Sequence, residues 1–195
     1  MLRTQPLEKA IEYLSSFQKV LVELRSDYVE LLKVVDAEHA AISRSDLQTI
    51  ESLVQHKAST SEELENHALD IRKIASKLQG FIQDLCRMTL PCASITDVMN
   101  MFSTIENYFS ESSITRDAFL KILLSTRIIY DEFVDLRRIT EPKIEMNKYL
   151  TERLLNHHQQ SYLFWQEIAR ESTATYGDDG VQRQKVIAPL LRIKA

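Results

Sequence analysis

Two long runs of apolar residues, with members spaced alternately three and four positions apart, dominate the first part of the chain. The first run comprises Leu7, Ala10, Leu14, Phe17, Leu21, Leu24, Tyr28, Leu31, Val35 and Ile42. The second comprises Leu47, Ile50, Val54, Leu64, Ala68, Ile71, Ala75, Leu78, Ile82 and Leu85. This heptad spacing predicts two long helices that pack along one another. Because the break between the two helices, ISRSD at residues 42–46, is short, we expect an antiparallel hairpin.

Polar residues interrupt both runs at a few places. Glu38 occupies a position in the first run, and Lys57 and Ser61 form a polar notch in the second. Ser45, with Gln48 three residues further on, is typical of a capping box and predicts the start of the second helix.

The composition supports a chain made of helices with few turns. It contains 3 glycines and 4 prolines, where average usage of roughly 7% and 5% would give about 14 and 10. We therefore predict an all-α fold, in which a long, coiled-coil-like hairpin packs with further helices into an elongated bundle. The expected parts are one helical domain over 1–175, with its hairpin at 6–85, middle segment at 86–141 and late helix at 142–171, and a C-terminal tail at 176–195.

Local signals divide the remainder of the chain. Ser94 is a plausible cap for a short helix that ends near Phe109, and another helix is expected to begin near Thr115. At Pro142 two outcomes are open. Either a new helix begins there with Thr140 as its cap, or the proline only kinks one long helix.

Several classes of function are not expected. The glycines are too few and too scattered for a phosphate-binding loop. No run of about 18 apolar residues predicts a membrane span. The chain has a net charge of −4 and no basic stripe, so no nucleic-acid partner is expected. The opening segment lacks the apolar core of a signal peptide, and two cysteines suit a reducing compartment, so we expect a cytoplasmic protein.

No arrangement of residues predicts catalysis or a bound cofactor. The histidines and cysteines lack the spacing of a zinc site, and adjacent acids such as Glu62 and Glu63 diverge on a helix. We therefore expect neither an enzyme nor a metal site. A histidine phosphotransfer domain is also disfavoured, because neither His39 nor His67 has the expected Lys and Gly on the next turn.

Two apolar segments are candidates for binding a protein partner. The late helix carries Tyr149, Tyr162, Phe164 and Trp165, which either belong to the core or form a binding surface broader than one partner helix needs. The tail carries a second apolar group, which either docks on the chain's own core or serves as an arm for a partner. The predicted partner-binding residues are Tyr162, Trp165, Tyr176, Val186, Ile187, Leu190, Leu191 and Ile193.

Two segments resemble the FlgN family of flagellar type III export chaperones. Residues 31–64 are similar to the family's Leu-rich helix, break and second helix, and residues 175–182, TYGDDGVQ, to its closing aromatic-glycine turn. The matching positions in the first segment are Glu38, Asp46, Leu47, Ile50, Leu53 and Lys57. The likeness covers roughly residues 7–85 and 144–182, and the segment 86–141 departs from it as an expansion.

The resemblance implies a small α-helical cytosolic chaperone. Such a protein would bind hook-associated proteins of the hook–filament junction through its C-terminal region and deliver them to the export gate, with Tyr176 at the position that contributes to gate docking. The alternative is a structural coiled-coil or oligomerisation module that forms a homodimer and has no client.

Overall fold

The computed structural model describes residues 4–109 and 114–174, and within these ranges the chain is helical throughout except for short connections. This confirms the predicted all-α bundle. The chain divides into two compact units, residues 1–148 and 149–195. The helices are α1 at Thr4–Ser43, α2 at Leu47–Cys86, α3 at Ile95–Tyr108 and α4 at Ile114–Ala174.

The α1–α2 pair confirms the predicted hairpin. Every residue of the first heptad run is buried except Tyr28, which is half-buried, and the interrupting Glu38 is buried as well. In α2 the run is buried at Ile50 and from Ile71 to Ile82. Leu47 and Val54, which the same pattern placed inside, are exposed instead. The short helix α3 covers only the later part of α2, so this earlier part has fewer neighbours.

The turn between the two helices corrects one local prediction. Ser45 has a φ of 56°, a left-handed conformation that ends α1, and the cap of α2 is therefore Asp46. The backbone N–H of Thr49 donates to Asp46 Oδ1 at 3.1 Å, and the Thr49 hydroxyl donates to Asp46 Oδ2 at 2.7 Å. Asp46 thus satisfies an N–H that the helix start leaves open.

The third helix begins as predicted and completes the core at one end of the hairpin. Ser94 and Asp97 form a reciprocal capping box, in which each side chain accepts from the other residue's backbone N–H. Phe102 is buried against Phe17, with ring centroids 5.7 Å apart. Arg127 of α4 donates to Glu106 Oε2 at 2.7 Å, which places α3 beside α4 as well.

Within the first unit, α4 runs parallel to α1 at a constant offset in sequence. Gln18 contacts Ser125, Arg25 pairs with Glu132, and Lys143 pairs with Asp36, each across 107 residues. The rings of Tyr28 and Phe133 meet edge-on, with centroids 5.2 Å apart. Because the separation in sequence stays at 107 residues, both helices advance by the same distance per residue along this contact.

Helix α4 continues through Pro142, so the predicted restart is wrong and a single helix through the proline is observed. Proline removes one backbone hydrogen bond, but Pro142 lies on an exposed face where water can reach the freed carbonyl. Thr140 is not a cap, because its buried hydroxyl donates to the Leu136 carbonyl at 2.8 Å inside the helix. Packed residues on either side, Phe133 and Asn147, hold the helix against α1.

Candidate protein-binding surface

The predicted partner-binding residues fall into two groups. Tyr162 and Trp165 lie on α4 within the second unit, and each is 63% exposed. The remaining ones, Tyr176, Val186, Ile187, Leu190, Leu191 and Ile193, lie outside the described residues. The structure therefore places only the helical part of the candidate site.

Around Tyr162 and Trp165 the helix exposes further apolar side chains. We call this set the late-helix surface, and it consists of Leu155, Tyr162, Leu163, Phe164, Trp165 and Ile168. Together with Tyr149 they are all exposed, so the alternative that the aromatic residues belong to the core is wrong. The rings of Phe164 and Trp165 contact each other at their edges, with centroids 5.7 Å apart.

The order of these residues decides how a partner could cover them. Successive residues on an α-helix are about 100° apart, so the run from Tyr162 to Trp165 points apolar groups in nearly every direction around the axis. An ordinary surface helix has one apolar stripe and one polar face. A partner that buried this run would have to surround the helix or contribute more than one segment.

The late-helix surface has little ionisable chemistry of its own. His157 and His158 are both exposed. Over residues 4–109 and 114–174, no three His, Cys, Asp or Glu residues are placed to hold a metal ion. In the same ranges we find no helix with the length and apolarity needed to cross a membrane.

A buried polar cluster joins α1, α2 and α4 near the hairpin turn, and sequence reasoning found only part of it. Glu38 is 2% exposed and accepts a hydrogen bond from Lys57 Nζ at 2.5 Å. Asn147 Nδ2 donates to Glu38 Oε2 at 3.0 Å and to the Val35 carbonyl at 2.7 Å. The Nδ1 atom of His39 lies 3.0 Å from Asn147 Oδ1. This amide oxygen can only accept a hydrogen bond.

The sequence carried a signal for this cluster. Glu38 and Lys57 were the polar interruptions of the two heptad runs, and an antiparallel hairpin brings them to the same level. Asn147 gave no comparable signal, because its position depends on how α4 docks. A buried carboxylate with a cation and an amide favours one alignment of the three helices. The contacts of Asn147 with Glu38 and with the Val35 carbonyl therefore help to position α4 against the hairpin.

A second ionisable group lies at the α1–α2 contact. His67 Nε2 is 3.1 Å from Asp27 Oδ2, and its Nδ1 is 3.8 Å from Glu23 Oε2. Burial raises the pKa of the Asp27 carboxyl above its ordinary value; His67 opposes this shift, while Glu63 and Glu23 add to it. Ionisation of Asp27 is therefore less favourable in the folded hairpin than in the unfolded chain.

No family model, no curated protein and no solved structure matches the chain.

Proposed function

We propose that the chain is a cytosolic export chaperone of the FlgN type, which binds hook-associated proteins and delivers them to the flagellar export apparatus. The observation that supports this proposal is the late-helix surface, where Tyr162 and Trp165 are both largely exposed. Exposed apolar groups of this size are costly to leave in water and are typical of protein-binding sites. The sequence resemblance supplies the class of client.

The physical chemistry of such clients agrees with this surface. Amphipathic segments that fold on binding present apolar side chains, and they need no catalytic groups from their chaperone. Apolar residues around the whole circumference from Tyr162 to Trp165 suit a client that wraps the helix. In this proposal Tyr176 and the tail residues Val186 to Ile193 add contacts to the client and to the export gate.

Binding to purified hook–filament junction proteins of the source organism tests the proposal. We expect the full chain to form a complex, and we expect the double variant Tyr162→Ser with Trp165→Ser to lose at least about tenfold in affinity. Tyr108→Ser is the matched control, because Tyr108 is also exposed but lies on α3. A chain truncated after residue 175 separates the contribution of the tail.

The alternative function is a structural oligomerisation module, and the same surface could be buried against a second copy. Light scattering coupled to size exclusion separates the two proposals. Absence of binding to any junction protein, together with a discrete dimer that the Tyr162→Ser and Trp165→Ser changes dissociate, would favour the structural module and refute the chaperone.

A further inference from the structure

In the second unit, α4 carries an uncharged stretch between two opposite charges. Residues 154–166 contain no Asp, Glu, Lys or Arg, although these residue types make up 27% of the chain. Arg153 immediately precedes the stretch and Glu167 immediately follows it, and both side chains are exposed. Because about four helical turns separate them, the two charges lie on the same face of the helix.

The side chains around these two residues do not neutralise them. The guanidinium of Arg153 lies over the ring of Tyr149, 5.2 Å from its centroid, and this contact supplies no carboxylate. Among the side chains that the structure describes, no cation pairs with Glu167. Each end of the stretch therefore keeps a charge that a partner of opposite sign could neutralise.

A stripe of residues at heptad spacing runs beside the two charges. We call it the late-helix seam, and it consists of Leu150, Leu154, His157, Ser161, Phe164 and Ile168. Its members are alternately four and three residues apart, as the core positions of a coiled coil are. Arg153 and Glu167 each come directly before a seam residue. This is one of the flanking positions that form ion pairs between the helices of a coiled coil.

Two copies of the late-helix seam complement each other when they run antiparallel. In a two-fold pair, if one residue contacts a second, the second contacts the first on the other side of the axis. In this arrangement Arg153 of each copy lies opposite Glu167 of the other, which gives two equivalent ion pairs. In the same register Leu154 of one copy packs on the exposed ring of Phe164 of the other.

The two polar residues of the seam favour the same orientation. In the antiparallel register His157 of one copy falls beside Ser161 of the other, and an imidazole and a hydroxyl can form a hydrogen bond. A parallel pair would instead place each of them against its own counterpart. It would also hold Arg153 of one copy roughly 20 Å from Glu167 of the other, at 1.5 Å per residue.

We propose that the chain forms a two-fold homodimer through the late-helix seam, in which residues 150–168 of two α4 helices run antiparallel and Arg153 of each copy pairs with Glu167 of the other. The paired segment is roughly 28 Å long, and so short a helix pair buries less than the about 1,600 Å² of a standard interface. We therefore expect a Kd of about 10–300 µM. Tyr162 stays on the outer side of the pair, so the dimer does not depend on a client.

Charge-reversal variants of the full chain test the pairing by sedimentation velocity over a concentration series. Arg153→Glu alone and Glu167→Arg alone should each weaken the dimer by about tenfold or more, because both ion pairs become repulsive. An equimolar mixture of these two variants should form a dimer again, since both ion pairs of the mixed dimer join opposite charges. The double variant should likewise dimerise by itself.

Matched controls separate the seam from the rest of the helix. Glu152→Arg makes the same charge change as Glu167→Arg on an exposed residue that points away from the seam, and it should alter the Kd by less than about twofold. Phe164→Ser should weaken the dimer by about tenfold or more, because it removes an apolar seam contact. Leu163→Ser, on a comparably exposed residue outside the seam, should change the Kd by less than about threefold.

Four results would overturn the proposal. These are a monomer at every concentration up to about 1 mM, equal effects of Glu167→Arg and Glu152→Arg, no recovery in the mixture of the two reversed variants, or equal effects of Phe164→Ser and Leu163→Ser. None of these measurements uses a client, so this proposal and the proposed function can fail independently.

Discussion

Replacing Lys57 by methionine should destabilise the first unit strongly, although it removes only one side-chain contact. Lys57 is 22% exposed and neutralises Glu38, which is 2% exposed, at 2.5 Å. Methionine keeps most of the apolar stem and leaves the carboxylate buried without a cation. Breaking a buried ion pair from one side costs about 3–5 kcal/mol. Because Asn147 still donates to Glu38 and water reaches the Lys57 position, we expect about 3 kcal/mol.

Urea unfolding followed by far-ultraviolet circular dichroism measures this cost. With a urea dependence of about 2 kcal/mol per molar, a loss of about 3 kcal/mol lowers the midpoint by roughly 1.5 M. The matched control is Lys33→Met on α1, because Lys33 pairs with Glu30 at the surface and is 67% exposed. That change should cost less than about 1 kcal/mol. Equal midpoints for the two variants would refute the argument from buried charge.

A triple variant separates the loss of an ion pair from simple damage to the core. Glu38→Leu, Lys57→Met and Asn147→Leu together remove the charge and both of its partners. Since a buried ion pair is often no more stabilising than apolar residues of similar volume, we expect most of the lost stability to return. A triple variant less stable than Lys57→Met alone would show that the polar contacts themselves stabilise the fold.

Three further substitutions test other parts of the structure. Leu31→Asp places a carboxylate on the buried seam of α1 and should lower the free energy of unfolding in urea by more than about 3 kcal/mol. The control Val29→Asp, on the exposed side of the same helix, should lower it by less than about 1 kcal/mol. Similar values for the two variants would contradict the register of the hairpin. Phe102→Ala should cost about 3–5 kcal/mol because the ring is buried against Phe17, and a cost under about 1 kcal/mol would mean that α3 is not docked. Asp27→Asn should stabilise the protein at pH 7 but not at pH 3. Because the pKa of Asp27 is raised on folding, its contribution to stability falls as the pH rises from the pKa of the unfolded chain through that of the folded protein. An equal effect of the substitution at both pH values would count against this argument.

The sequence predicted the hairpin well because a heptad seam is a local pattern repeated many times. A run such as Leu7 to Ile42 specifies one face of a helix whatever else the chain does. The same pattern placed Leu47 and Val54 inside, and both are exposed. Spacing identifies the inner face of α2, but burial along that face depends on which part of α2 the other helices cover.

Local sequence signals were misleading at two helix boundaries. A capping motif began at Ser45, yet the left-handed conformation of that residue moved the cap to Asp46. Pro142 suggested a helix boundary, yet packing on both sides of it against α1 holds the helix together. For the candidate site, the sequence left open whether Tyr162 and Trp165 belong to the core or lie on the surface, and both are exposed.

The constant offset between α1 and α4 has a consequence for the order of folding. The contact of Lys57 with Glu38 closes a loop of 19 residues, whereas each α1–α4 contact spans 107 or more. Closing the longer loop costs about 1.5 kcal/mol more in chain entropy. Contacts close in sequence form sooner, so the hairpin should gain protection before α4 does in pulsed hydrogen exchange. During synthesis the hairpin is complete long before Asn147 is added. Until α4 packs against the hairpin, the carboxylate of Glu38 therefore lacks the hydrogen bond that the Asn147 amide donates.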